Sequence, residues 1–358
     1  MSRAYLLQLA ATNLRMPIGA DIVLHRHSDP AAILLDGPRL GEVIAETAVT
    51  FGTPLAFPLM DLRLEKAWLL TLLGVSAADV DTHHFAEDPG ADAVTRLSAA
   101  LAASPPPPRV AANLAALRHV VKNTPLYPVG MSIGPFSLAT KLLADPIMPV
   151  YLAGSGATAA EEPEVALVER ALELALTIVL HSIRLQLDVG AKAVFIAEPA
   201  ANQVFFSPKQ LATGTDIFER YALAPNRAIA RLLESHGADL LFHCCGDITD
   251  GMLKDFCSLH PALLSLGSSR RLWEDATLVP KDIVLYGNLP SKRFYSDQLT
   301  PPDAVKVMAD ELEEKMRATG HPFILGTECD TLHVEGCGHI ICNKLHRMLN
   351  LIPLLPTP

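Results

Sequence analysis

Hydrophobic positions along the chain gather into short apolar runs separated by longer stretches of helical periodicity. Eight runs stand out: 17-PIGADIVLH-25, 54-PLAFPLMD-61, 126-LYPVGMSIG-134, 191-AKAVFIAEP-199, 238-ADLLFHCCG-246, 261-PALLSLGSS-269, 282-DIVLYGNLP-290 and 322-PFILGTECD-330. Several are almost continuously apolar, which is how strands buried on both faces read. The clearest helix spans 164–189. Pro163 suits its first turn. Its polar residues Glu169, Glu173, Thr177, His181, Arg184 and Asp188 recur three or four apart as one stripe. Helical stretches over 225–236 and 304–319 end at Gly237 and Gly320 and lead into the next run. Helix, glycine, short loop and apolar strand is the connection of a parallel sheet.

Eight such units predict an α/β fold, a (β/α)8 TIM barrel. An open doubly wound sheet would want a glycine-rich phosphate loop after the first strand, where HRHSDPAA stands instead. Residues 1–358 read as a single barrel domain. An N-terminal helix over 1–15 and an insert near 75–125 decorate it, and the proline run 104–108 reads as a stiff surface linker.

Composition narrows the function classes. The chain has 358 residues, half of them hydrophobic, so it can bury a full core without disulfides. A net charge of −10, with no cluster of Lys and Arg, leaves no basic face for nucleic acid. Six cysteines are too few for a disulfide scaffold and point to a reducing cytoplasm. The charge-free stretch 123–140 contains Pro125, Pro128, Gly130, Gly134 and Pro135, so it cannot cross a membrane as a helix.

Chemistry in such a barrel collects where strands end. Polar residues stand there: Asp61, Gly134 with Phe136, Glu198, His243-Cys244-Cys245, Asn288, and Glu328-Cys329-Asp330. Side chains alternate along a strand, so His243 and Cys245 share one face and Cys244 takes the other. Closure of a barrel brings Cys329 to the same mouth. One His and two Cys with an open fourth position describe catalytic zinc. The plainer reading of these thiols is inert burial; a third ligand at a separate strand end favours zinc. His333, Cys337 and His339 are the runner-up ligand set, and read first as loop residues over the pocket. Cys342 and His346 read as packing residues of a helix over 340–351, and Cys257 as core. Asp61 and Glu198 are candidate catalytic carboxylates, with helix capping as the alternative. His25 and His27 are weaker candidates for touching substrate, with ordinary loop histidines as the plainer reading.

At these residues the chain resembles the uroporphyrinogen decarboxylase superfamily, in its zinc-dependent, corrinoid-linked methyltransferase branch. The resemblance rests on 57-FPLMDLRLEKAWLLTLLG-74, 128-PVGMSIGPFSLATKLL-143, 191-AKAVFIAEPAANQVFFSPKQL-211, 242-FHCCGDI-248, 287-GNLP-290 and 324-ILGTECD-330, in family order across roughly 15–350. It implies zinc on His243, Cys245 and Cys329, and a methylcorrinoid (methylcobalamin) donor on a small partner protein. It implies a thiol like coenzyme M, or tetrahydrofolate, as acceptor. Gly134, Phe136 and Asn288 become candidate cofactor-binding positions, and Glu198 and Asp61 candidates for orienting the acceptor. Two features depart from the branch: Glu328 precedes Cys329 where glycine is usual, and 331-TLHVEGCGH-339 is unlike its counterparts. The decarboxylase branch carries an arginine-rich segment near the first strand, absent from 15-RMPIGADIVLHRHSDP-30. A decarboxylase-like lyase and a non-catalytic zinc- or corrinoid-binding barrel are the alternatives.

Overall fold

A computed structural model describes residues 2–350. Met1 and residues 351–358, which the expected domain and terminal helices include, lie outside the described residues. The strands are β1 (Arg15–Met16), β2 (Leu55–Ala56), β3 (Tyr127–Ile133), β4 (Ala193–Ala197), β5 (Asp239–Cys244), β6 (Leu263–Leu266), β7 (Val284–Leu289) and β8 (Phe323–Thr327). All pairings are parallel, in the order β1-β8-β7-β6-β5-β4-β3-β2. One inner cluster draws on every strand: Met16, Leu55, Val129, Phe195, Leu241, Leu263, Tyr286 and Ile324 among others. Residues of the opposite parity, such as Val194, Ile196, Phe242 and Leu285, pack into the outer cluster with the helices. This is the (β/α)8 architecture.

The seam between β1 and β2 is closed by packing. No ladder joins these two-residue strands among the described residues, yet Met16 and Ile18 meet Leu55 and Phe57 in the inner cluster. The helix Ser2–Ala10 places Leu6 in that same cluster.

The first two apolar runs were expected to be full strands, and both are corrected. Within 17–25, residues Ala20–Leu24 form a short helix that buries Ala20, Ile22, Val23 and Leu24. A short continuous apolar run does not itself distinguish strand from helix. The run 54–61 is a strand only at Leu55–Ala56; Pro58 has no N–H to continue a ladder. Beyond that point β3 finds another partner. The Gln186 carboxamide accepts from Met131 N (2.8 Å) and donates to Met131 O (2.9 Å). Gly130 is needed there, because a Cβ would run into the Gln186 carboxamide.

The insert holds two helices, Ala93–Ala103 and Pro108–Asn123, joined across the proline run. The long helix is Pro163–Asp188, close to its expected bounds. The terminal helix is Gly338–Met348. No helix of the described residues is long and apolar enough to cross a membrane.

Candidate metal centre

His243 lies on β5 opposite Ser265 of β6. Its partner in β4 is Ala197, so its inward parity is that of Phe195, whose ring lies 5.4 Å from the imidazole. The imidazole is buried. Nδ1 lies 2.8 Å from Ser265 Oγ, while Nε2 is buried without any hydrogen-bond partner. With Nδ1–H donating to Ser265, Nε2 carries the lone pair. Metal-binding histidines are oriented in this way by a partner on the other nitrogen.

Cys245 and Cys329 follow β5 and β8 and complete the group. One ligand atom from each of His243, Cys245 and Cys329 lies within 4.8 Å of the others; among the described residues no other such cluster of His, Cys, Asp or Glu occurs. The two thiols are electrostatically one unit. A hydrogen bond from Cys329 holds Cys245 far below the usual thiol range, against burial and with help from His243 and Lys292. The same hydrogen bond, with burial, pushes Cys329 up. A soft pair of sulfurs beside an orphaned imidazole nitrogen is a donor set that fits zinc.

Cys244 faces the opposite way. Its thiol donates to Ala201 O (3.5 Å), and burial pushes it up. The runner-up residues do not gather: His333 stacks on His25 with ring centroids 4.4 Å apart, and its backbone N–H donates to Asp21 Oδ2 (2.7 Å). His27 pairs with Glu46, Cys257 is core, and Cys342 Sγ accepts from Arg26 (3.5 Å).

The proposed carboxylates sit elsewhere. Glu198 directly follows β4 with outward parity. Its carboxylate is fully buried and accepts from Ser137 N (2.5 Å), Phe136 N (3.3 Å) and Asn226 Nδ2 (2.8 Å). It therefore anchors the N-terminus of helix Pro135–Lys141, and burial pushes its pKa up. Both carboxylate oxygens are thus engaged within the protein. Gly134 belongs to the same anchor, since a Cβ there would occupy the space of the Glu198 carboxylate. Phe136 is buried between Phe205 and Phe206. Asn288 is a staple, donating to Gly267 O (2.7 Å) and Arg270 O (2.9 Å). The side chains of Phe136 and Asn288 are both buried.

Asp61 is clamped by Arg109 (2.9 Å) and Arg63 (3.2 Å). Burial alone would raise it, but the two guanidiniums hold it below the usual carboxylate range. A carboxylate so paired is a poor base. Glu328, the departure beside the third ligand, accepts from Ser268 N (3.1 Å) and Ser268 Oγ (2.7 Å) and ties the loop after β6 to the end of β8.

The profile of the family described as Uroporphyrinogen decarboxylase (URO-D) matches residues 84–335. The chain belongs to the uroporphyrinogen decarboxylase family. Within that family's fold, a solved structure titled "methyltransferase from Methanosarcina mazei" is similar over 94% of this chain and 91% of that one, with a TM-score of 0.63 and 16% identity. No curated protein matches.

Sequence reasoning missed two residues of this family member's centre. Ser265 was legible as the lone hydroxyl inside the apolar run 263-LLSL-266. Lys292, whose charge acts on both sulfurs, follows a strand end with nothing in the sequence to link it to them.

Proposed function

We propose that the chain is a zinc-dependent methyltransferase that moves a methyl group from a corrinoid, carried by a small partner protein, to a small thiol. The observation that carries this reading is the His243–Cys245–Cys329 group, with Nε2 of His243 left free by Ser265. When bound, the metal supplies the Lewis acid that makes a thiol a thiolate near neutral pH, and the corrinoid supplies the methyl group.

The chain's own residues do the rest. His243, Cys245 and Cys329 would hold the ion, and Ser265 fixes the direction of the imidazole. Two thiolates and a neutral imidazole would together offset a dication's charge at that position. Glu198 and Glu328 fix the loops around the mouth.

Support for a partner comes from the rim. Large apolar side chains are exposed after β3 (Met148, Tyr151), β4 (Val204), β7 (Leu299) and β8 (Leu332). Each lies in a segment that follows a strand end, the side from which a partner would meet the mouth.

The test is methyl transfer from free methylcobalamin to a panel of thiols and to tetrahydrofolate, with the zinc-loaded protein. Conversion of a thiol that stops when zinc is chelated supports the reading. Transfer that survives chelation overturns it.

A further inference from the structure

The two sides of Cys329 differ in charge. After Cys329 the chain passes over the seam between β1 and β2. Thr331 N donates to Ile18 O (2.8 Å) beyond the end of β1, and Asp330 Oδ2 accepts from Met60 N (3.4 Å) beyond the end of β2. Asp330 and Thr331 are 6% and 1% exposed. Asp330 Oδ1 and Thr331 Oγ1 are both buried without a hydrogen-bond partner. Asp21, in the short helix just after β1, adds a second carboxylate whose field reaches Asp330. A buried carboxylate oxygen and hydroxyl with no partner are costly unless something donates to them. On the other side, Ser291 Oγ donates to Cys329 O (3.2 Å). The next residue, Lys292, lies close enough for its ammonium to act on both sulfurs and on the Glu328 carboxylate, which is itself held by Ser268.

We infer that the acceptor is a small zwitterionic thiol, an α-amino acid with a thiol side chain. Its ammonium donates to Asp330 and Thr331, and its carboxylate faces Lys292. This rests on the thiol-acceptor reading above and narrows it. A thiol whose only other charge is a sulfonate or carboxylate would bring an anion beside Asp330 and Asp21 and leave the orphaned acceptors unmet. A zwitterion answers both flanks at once, with its sulfur free to reach the open side of the His243–Cys245–Cys329 group.

The experiment is calorimetric binding to the zinc-loaded full chain with no methyl donor present, so that the readout is independent of turnover. The probes are homocysteine, cysteamine, 2-mercaptoethanesulfonate and 3-mercaptopropionate. Homocysteine is expected to bind most tightly, cysteamine next, and the two purely anionic thiols at least about tenfold more weakly. Asp330→Asn should lower homocysteine affinity about 10- to 100-fold, the range for a hydrogen bond to a charged group, with zinc content retained. Thr331→Val gives a smaller loss of the same sign. Lys292→Ala should cost homocysteine about tenfold more affinity than it costs cysteamine, which has no carboxylate, so the ratio between the two thiols is the readout. Equal or tighter binding of the anionic thiols, or homocysteine binding indifferent to both Asp330→Asn and Lys292→Ala, overturns the inference and leaves the methyltransferase reading standing. Failure of all four thiols to bind overturns both.

Discussion

Ser265 decides which nitrogen of His243 meets the sulfurs. Its hydroxyl sits 2.8 Å from Nδ1, so the other nitrogen turns to the open side. Removing such an orienting partner typically costs 10- to 100-fold in metal affinity. Ser265→Ala is therefore expected to weaken zinc binding by about that factor while the chain still folds, as competition with a chelator would measure. Cys245→Ala and Cys329→Ala should each lose zinc by elemental analysis. Cys244→Ser should keep it, since that thiol is turned to Ala201 O in the outer layer. Full zinc in both alanine variants would remove the assignment. Loss in Cys244→Ser but not in a Cys245 variant would shift the register of β5 by one.

The elements that carry these residues depend on buried polar anchors. Where β2 leaves β3, the gap is filled by Gln186 and by Glu65, whose Oε1 accepts from Ser132 (2.9 Å) and Ser182 (3.1 Å). Burial pushes the Glu65 carboxyl up to about 7 from an ordinary 4.5, against the two hydroxyl hydrogen bonds. Between those values the folded chain holds a proton that the unfolded chain has released. Stability from this group is thus fully present below about pH 4.5 and falls as pH rises toward about 7. Glu65→Gln keeps the shape and removes the titration. The decline of Tm over that pH window should be shallower in the variant than in the parent, measured by thermal melts in matched buffers. Parallel curves would mean that Glu65 titrates alike in both states. Glu198 and Asp330 are raised as well, so the difference between the two proteins is the informative quantity.

At the scale of the whole molecule, the proposed function would have the barrel separate chemistry from docking. The His243–Cys245–Cys329 group lies where β5 and β8 end; exposed Val204, Leu299 and Leu332 stand on loops that follow strands, and exposed Tyr151 on the helix Ile147–Gly154. If these loops seat a corrinoid-carrying protein, Val204→Asp combined with Leu299→Asp should slow methyl transfer from the protein-bound donor by about tenfold or more, because a charge buried in an apolar contact is costly. Transfer from free methylcobalamin should be unchanged, since neither residue belongs to the metal group. Equal loss with both donors would show that the substitutions act on the site itself.

The apolar runs and the glycine stops between helix and strand by themselves determined the eight units, because a strand buried on both faces must be apolar along its length. Alternation within 242-FHCC-245 likewise assigned His243 and Cys245 to one face, a consequence of the two-residue period of any strand. Tertiary structure decided what residue type and local period do not encode. It decided that Glu198 and Gly134 form an anchor, since the direction of a side chain just past a strand depends on the helix it meets. It decided that Asp61 is neutralised by Arg109, which lies 48 residues away and reaches it only through the packing of the insert. The short β1 and β2 were set by the seam, where side chains replace a ladder. The pairing of Ser265 with His243 across 22 residues follows from the register of β5 on β6, and Lys292 and Asp330 act on Cys329 from the ends of neighbouring strands β7 and β8. Contacts of that kind are properties of the assembled sheet, since no local stretch of chain contains both partners.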